Sequence, residues 1–365
     1  MRRSTLLLAI AGASLLGSAL ATSTRSAATP ATTSVITEAD LRTRLFIFAH
    51  DSMQGRRAGT AGHERATAYI AQELTRLGLT PAGERGTYFQ RVQVGNAARN
   101  DGWSRNVVAI IPGSDPGMRA QYVALGAHSD HLGTRPAPKL DARSEGTRRR
   151  TITAPPDTIY NGADDDGSGS MALLEVAEYL ASAPESVKRS VLFVWHTGEE
   201  LDLNGSREFT EHPPVSLSSI VAQVNLDMIG RGSAADLPNG GPNYLSVIGP
   251  RRRSTELARW VREVGAAQEM PLSLDYTLDA DGHPEQIYCR SDHWMYARRG
   301  IPIVFLFTNL HRDYHAVTDE AQFIDYPHFT RITQFVLDLT RRIANNATPP
   351  RRDRPVPTLG SPCKQ

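Results

Sequence analysis

The sequence predicts an α/β fold built on a mixed, mostly parallel central sheet sandwiched between helices. Two observations carry that prediction: short, continuously apolar runs of strand length recur along the chain, and stretches with an apolar face at helical spacing lie between them. Taken in order, Ala66, Ile70, Leu74 and Leu77 fall on one helical face after Gly62, and Gly78 can close that helix. Strands are predicted at residues 106–111, 122–126, 190–195, 220–227, 244–248 and 302–307. Helices are predicted over 171–180, over 256–267, and through the apolar stripe Ile332, Phe335, Val336, Leu339 and Ile343. Residues 134–158 contain Pro, Arg and Gly without periodicity and read as a loop inserted between two sheet segments, near the mouth of a site.

Two average domains would fit in 365 residues, but a sheet covered on both faces can use most of that length, so residues 36–346 are assigned to one domain. Arg2 and Arg3, the apolar run 6–20 and the small-x-small site Ala19-Leu20-Ala21 follow the secretory pattern. Residues 1–21 are therefore expected to be a removed signal peptide, and the protein secreted or periplasmic. The run is shorter than the ~20 residues of a spanning helix, so no stable membrane anchor is expected. Residues 22–35, mostly Ala, Thr and Ser, suit a flexible leader, and 347–365 form a Pro/Arg-rich tail. Without residues 1–21, 38 Lys and Arg face 39 Asp and Glu, a balance that argues against nucleic acid as a partner. A monomer is expected. Cys289 and Cys363 are the only cysteines, and an oxidising compartment would let them pair.

Four motifs fall where a predicted strand gives way to a loop, the edge at which open α/β sheets bind ligands. Gly126-Ala127-His128-Ser129-Asp130-His131 offers a histidine followed two residues later by a carboxylate that can orient its ring. Asn161-Gly162-Ala163-Asp164-Asp165-Asp166 places three carboxylates in a row before a helix, where they repel one another unless solvated or met by a cation. Trp195-His196-Thr197-Gly198-Glu199-Glu200 ends an apolar strand in adjacent glutamates, which can divide the work of metal binding and proton transfer. Asn225-Leu226-Asp227 ends another apolar strand in a carboxylate that is costly to bury without a partner. Tyr314-His315 follows the last predicted strand. Together these supply nitrogen and oxygen donors without sulfur, a set that suits zinc, with cobalt or manganese as substitutes. One shared carboxylate would let two ions sit ~3.5–4 Å apart.

In the order and flanking glycines of these motifs, the chain resembles the family-28 metallopeptidases, which include bacterial secreted aminopeptidases and, more distantly, glutamate carboxypeptidase and transferrin-receptor ectodomains. The likeness runs from Gly55-Arg56-Arg57-Ala58-Gly59-Thr60-Ala61-Gly62 through Tyr88-Phe89-Gln90 to Tyr314-His315. It implies a zinc-exopeptidase fold, two zinc ions per chain, and hydrolysis of the N-terminal peptide bond of peptides with a free N-terminus. Carried over by motif, His128 and Asp227 would serve one zinc site, and Glu200 and His315 the other, with Asp165 bridging both and followed by a cis peptide. The resemblance further implies that Asp130 orients His128, Glu199 is the general base, Tyr314 donates to the tetrahedral oxyanion, and Ser291-Asp292-His293 supports the site. Two features depart from the pattern: Ser129 stands where relatives often have Tyr, and the 134–158 loop is long. Other activities within reach of the resemblance are a dipeptidase or carboxypeptidase, a single-zinc glutaminyl cyclase, and a non-catalytic ectodomain.

Overall fold

The computed structural model describes residues 32–95, 102–135 and 157–356. The expected signal peptide, most of the leader, the inserted loop beyond its base and Cys363, hence its pairing with Cys289, lie outside the described residues. The chain begins with helices α1 (Glu38–Phe48) and α2 (Ala61–Arg76), then strands β1 (Thr80–Pro81), β2 (Phe89–Gln93), β3 (Trp103–Ile111) and β4 (Tyr122–His128). A small ribbon of β5 (Gly133–Thr134) and β6 (Ile159–Tyr160) closes the base of the inserted loop. There follow α3 (Gly169–Ser182), β7 (Ser190–His196), α4 (Asn204–Glu211), β8 (Ile220–Leu226) and β9 (Tyr244–Ile248). The chain continues through α5 (Pro250–Arg253), α6 (Thr255–Ala266), β10 (Ser273–Asp275), α7 (His293–Ala297), β11 (Ile303–Phe307) and α8 (Tyr326–Asn345).

All strands except β5 and β6 join one sheet of order β1-β3-β7-β4-β8-β11-β9-β10, with β2 also on β3. Its centre, β7-β4-β8-β11, is parallel, and the antiparallel pairs β3–β7 and β11–β9 flank it. The predicted α/β class holds, with the parallel character concentrated in these four strands. They are mostly apolar because both faces are covered, with Gln223 and Asn225 of β8 as buried polar exceptions. Along β7, Val191, Phe193 and Trp195 enter a core with α1, α2, α3, α6 and α8, while Leu192 and Val194 face a second core with Phe209 of α4 and Trp294 of α7. In α2, Ala66, Ile70 and Leu74 are buried along one face, as their spacing predicts. The sequence reading passed over α1, a helix whose Leu41, Leu45 and Phe48 are buried and whose Thr37 hydroxyl caps Asp40 N–H.

The chain leaves β4, crosses through α3 to β7 on one side, then returns through α4 to β8 on the other. The ends of β7, β4 and β8 therefore flank the crevice where the sheet order reverses. The first part of the tail is exposed but attached: Thr255 N–H donates to Asp353 at 2.9 Å and Arg351 N–H to Glu256 at 3.0 Å, at the start of α6. Among the described residues no helix is long and apolar enough to cross a membrane.

Candidate metal centre

His128 is the last residue of β4, and its in-register neighbour on β7 is His196, so the loops leaving both strands start at one level. Asp227 follows β8 directly. After β7, Gly198 (φ +66°) turns the chain so that Glu199 and Glu200 face the crevice. The turn into α3 depends on Gly162 (φ +55°), where a Cβ would stand 2.2 Å from Asp165 O and 2.5 Å from the His131 ring. The peptide between Asp165 and Asp166 is cis. His315, on the loop after β11, takes φ +55°.

The three consecutive aspartates have different partners. Asp164 accepts from Gly230 N–H at 2.6 Å and contacts His311 Nε2 at 3.1 Å. Asp166 accepts three backbone N–H groups, from Gly169 and His128 at 2.9 Å and from Met228 at 3.2 Å, tying the end of β8 to β4 and α3. Asp165 alone turns both oxygens to imidazoles. Its Oδ1 lies 3.2 Å from His128 Nε2 and its Oδ2 lies 3.2 Å from His315 Nε2. His128 Nε2 is also 3.5 Å from Asp227, and His315 Nε2 is 3.2 Å from Glu200. All five residues carried over as metal ligands thus meet in one cluster.

Among the described residues, two groups present donor atoms within 4.8 Å of one another: His128, Asp166 and Asp227, and His131, Asp165 and Glu200. In the first group Asp166 is committed to backbone amides, so Asp165 is the carboxylate open to a cation. His128 Nε2, Asp165 Oδ2 and Glu200 Oε1 are buried without a hydrogen-bond partner. Buried orphans of this kind are costly, and a metal ion matches their nitrogen and oxygen chemistry.

Asp130 serves His128 differently from expectation. The imidazole Nδ1 sits 3.1 Å from the backbone carbonyl of Asp130, while the carboxylate is 3.8 Å away and accepts Glu199 N–H at 3.2 Å. Asp130 therefore joins the His128 ring to the backbone of Glu199. Tyr314 stacks on His315 with ring centroids 3.9 Å apart, and Arg290 donates to its hydroxyl oxygen at 3.3 Å. Ser291 accepts from Asn225 at 3.0 Å and Asp292 lies 3.4 Å from His196 Nδ1, behind the cluster as the motif suggests. Ser129, at the departing position, accepts or donates within a buried network with His63 at 2.9 Å and His196 O at 2.8 Å.

Burial raises the proton affinity of Asp165, Glu199, Glu200 and Asp130, and the imidazoles decide which resist. Burial raises Asp165, but His131, His128 and His315 overcome it and hold the carboxyl well below its ordinary range. Glu200 is likewise raised by burial and by Asp165, and is brought down to about 2 by His131 and His315. Glu199 goes the other way: burial, with Asp227 and Glu200, outweighs His128 and lifts it well above the usual range. Burial also lifts Asp130 to about 7. For His315, burial lowers proton affinity, but Asp165 and Glu200 more than reverse it, to about 10.

The sequence reading did not single out three further groups. Arg56 is fully buried and donates to the carbonyls of Asn161 at 2.5 Å, Gly162 at 2.7 Å, Ser129 at 3.2 Å and Phe48 at 3.3 Å, pinning the loops that carry Asp165 and His128. Asp319 accepts from Asp164 N–H at 2.9 Å and Asp165 N–H at 3.0 Å. His131, in the same motif as His128, has its Nδ1 2.8 Å from Glu200. Its place beside two assigned residues was the available signal; one of two adjacent arginines in a glycine-rich stretch carries none.

Asp165, Glu199, Asp227 and His315 form the polar end of a cleft of about 360 Å³, counting its open mouth. Met228, Ile287, Phe305, Phe307 and Leu310 make its apolar wall, and Arg290 and Tyr314 stand at the rim.

Residues 106–340, more than half of the chain, match the family described as Peptidase family M28. The chain belongs to this family. This M28 member is 30% identical over 207 residues to the probable leucine aminopeptidase 2 of Aspergillus oryzae, covering 56% of this chain and 33% of that one. It is 26% identical over 254 residues to leucine aminopeptidase 1 of Paracoccidioides brasiliensis, covering 67% and 57%. The chain thus spans between a third and somewhat over half of the length of these curated relatives. The LapA aminopeptidase of Legionella pneumophila shares its fold, with a TM-score of 0.62 at 21% identity over 86% of this chain and 73% of that one.

Proposed function

We propose that this chain is a zinc-dependent aminopeptidase that releases an apolar residue from the free N-terminus of a peptide, outside the cytoplasm. One observation carries the reading: the two oxygens of Asp165 lie 3.2 Å from two different imidazoles, next to an apolar-walled cleft. In this reading His128, Asp227 and Asp165 would hold one zinc ion, and Glu200, His315 and Asp165 a second. Bound zinc supplies Lewis-acid polarisation of the scissile carbonyl and makes water acidic enough to attack at neutral pH.

The protein's own groups do the rest. Glu199 lines the cleft, and its raised proton affinity suits a base that takes a proton from the attacking water and passes it to the leaving amine. Arg290 occupies a lone pair of the Tyr314 hydroxyl, which leaves the hydroxyl hydrogen to donate to the substrate oxygen as it gains charge, a contribution of about 3 kcal/mol. Metal held by Asp165 and Asp227 at this end of the cleft would offer a Lewis acid to the lone pair of a free amine, which an acylated nitrogen, its lone pair delocalised, cannot use. Burying a leucine side chain against Phe305, Phe307 and Leu310 contributes about 2 kcal/mol, and the curated relatives are named as leucine aminopeptidases.

The test is a zinc titration of the chelator-stripped chain, followed by cleavage of leucyl-p-nitroanilide. Activity that returns with zinc and saturates at two ions per chain is expected. Saturation at one ion would favour the cyclase reading, and turnover indifferent to metal would overturn the proposal.

A further inference from the structure

We propose that His131 is an additional metal ligand, so that the second ion is held by two imidazoles, His131 and His315, with Asp165 and Glu200. The inference rests on the metal reading above and adds a residue to it. His131 Nδ1 lies 2.8 Å from Glu200 Oε1 and 3.7 Å from Asp165 Oδ2. His315 Nε2 lies 3.2 Å from the same Asp165 oxygen and 3.2 Å from Glu200 Oε2. Both rings therefore face one place, the Oδ2 side of Asp165, from two directions, with centroids 5.8 Å apart. Two donors at ordinary zinc distances stand ~3.3 Å apart at a tetrahedral angle and ~2.9 Å apart at a right angle. The four separations straddle those values.

A direct hydrogen bond does not account for the closest contact. His131 Nδ1 and Glu200 Oε1 are both buried, and neither has a hydrogen-bond partner despite their 2.8 Å separation, so the N–H direction and the acceptor are not aligned. With Asp165, these two residues present donor atoms within 4.8 Å of one another, close enough to share a third atom. The ring is also held in position: His131 N–H donates to Arg56 O at 3.3 Å, and the absent side chain of Gly162 leaves the space the ring fills. His131 is 1% exposed, whereas the His315 side chain, on the cleft loop, is 36% exposed. The two imidazoles thus divide into an inner, rigid ligand and an outer one at the substrate's side.

X-ray absorption on the zinc-loaded full chain counts the imidazoles directly. Three per two zinc ions, from His128, His131 and His315, are expected; two would overturn the role of His131 while leaving the aminopeptidase reading intact. A wild-type chain that binds no zinc would sink that reading itself. In competition with a chelator, His131→Asn should weaken the second zinc about 100-fold and leave the first unchanged. A second-zinc affinity equal to that of the wild type would refute the inference. Circular dichroism of the variant identifies a folding failure, in which case the wild-type count alone decides.

Discussion

Replacing Arg56 by alanine should be among the most damaging single changes in this protein, although the residue lies outside the carboxylate and imidazole cluster. Its guanidinium is fully buried, stacks on Phe48 with 4.5 Å to the ring centroid, and supplies hydrogen bonds to four carbonyls within 3.3 Å. Burial lowers its pKa to about 10, opposed by Asp319, Asp165 and Asp166, so it stays cationic at neutral pH. The two shortest bonds, to Asn161 O and Gly162 O, are charge-assisted and each contribute ~1.5–3 kcal/mol; their loss alone costs about 4 kcal/mol. That is a large share of the ~5–15 kcal/mol by which a domain is stable. Urea unfolding of the chelator-treated chain measures it. Arg56→Lys should recover less than half, because a point charge cannot reach carbonyls on both the Asn161–Gly162 turn and the Ser129 strand end. Unfolding free energies for Arg56→Ala within 1 kcal/mol of wild type, on the order of an exposed substitution, would refute this reasoning.

Glu199→Ala should keep both zinc ions, by elemental analysis, while turnover falls by ~10²–10⁴, the span of a lost general base. Tyr314→Phe should lower kcat about 100-fold with little change in KM, since its donation is to charge that develops only during reaction. Asp165→Asn should lose affinity for both ions together, whereas Asp227→Asn should weaken mainly one; chelator competition separates the two. In the metal-free chain His315 has its pKa raised to about 10. Its ion pair with Asp165 and Glu200 therefore stabilises the metal-free chain fully below pH ~6.5 and is lost as pH rises through about 10. Zinc must displace that proton, so calorimetry in buffers of different ionisation enthalpy at pH 7.5 should record proton release on binding. A proton count of zero would contradict it.

The parallel centre of the sheet is legible in the sequence because a strand covered on both faces is mostly apolar, as residues 191–195 and 303–307 are throughout. Motif order brings out His128, Glu199, Glu200 and Asp227 because each sits at the end of such a strand. Asp165 could not be separated from Asp164 and Asp166 by local chemistry. The distinction is tertiary: Gly230 N–H and His311 claim Asp164, and the amides of His128, Gly169 and Met228 claim Asp166. Arg56 and Asp319 are invisible for a similar reason. Their work is to hold backbone amides and carbonyls of distant turns, and nothing in the flanking residues records that. Helix α1 escaped because its Leu41, Leu45 and Phe48 lie among charged neighbours that blur the apolar stripe. Asp130 lies beside His128, as the motif implies, but it meets the ring through its main-chain carbonyl, and that depends on a backbone path no side-chain pattern encodes.

The most direct measurement compares the zinc-loaded chain on leucyl-p-nitroanilide and on its N-acetylated counterpart. A free amino group facing the metal-binding end of the cleft predicts hydrolysis of the first and a drop on the order of 100-fold or more in kcat/KM for the second, the equivalent of ~3 kcal/mol. Equal hydrolysis of both would contradict an aminopeptidase.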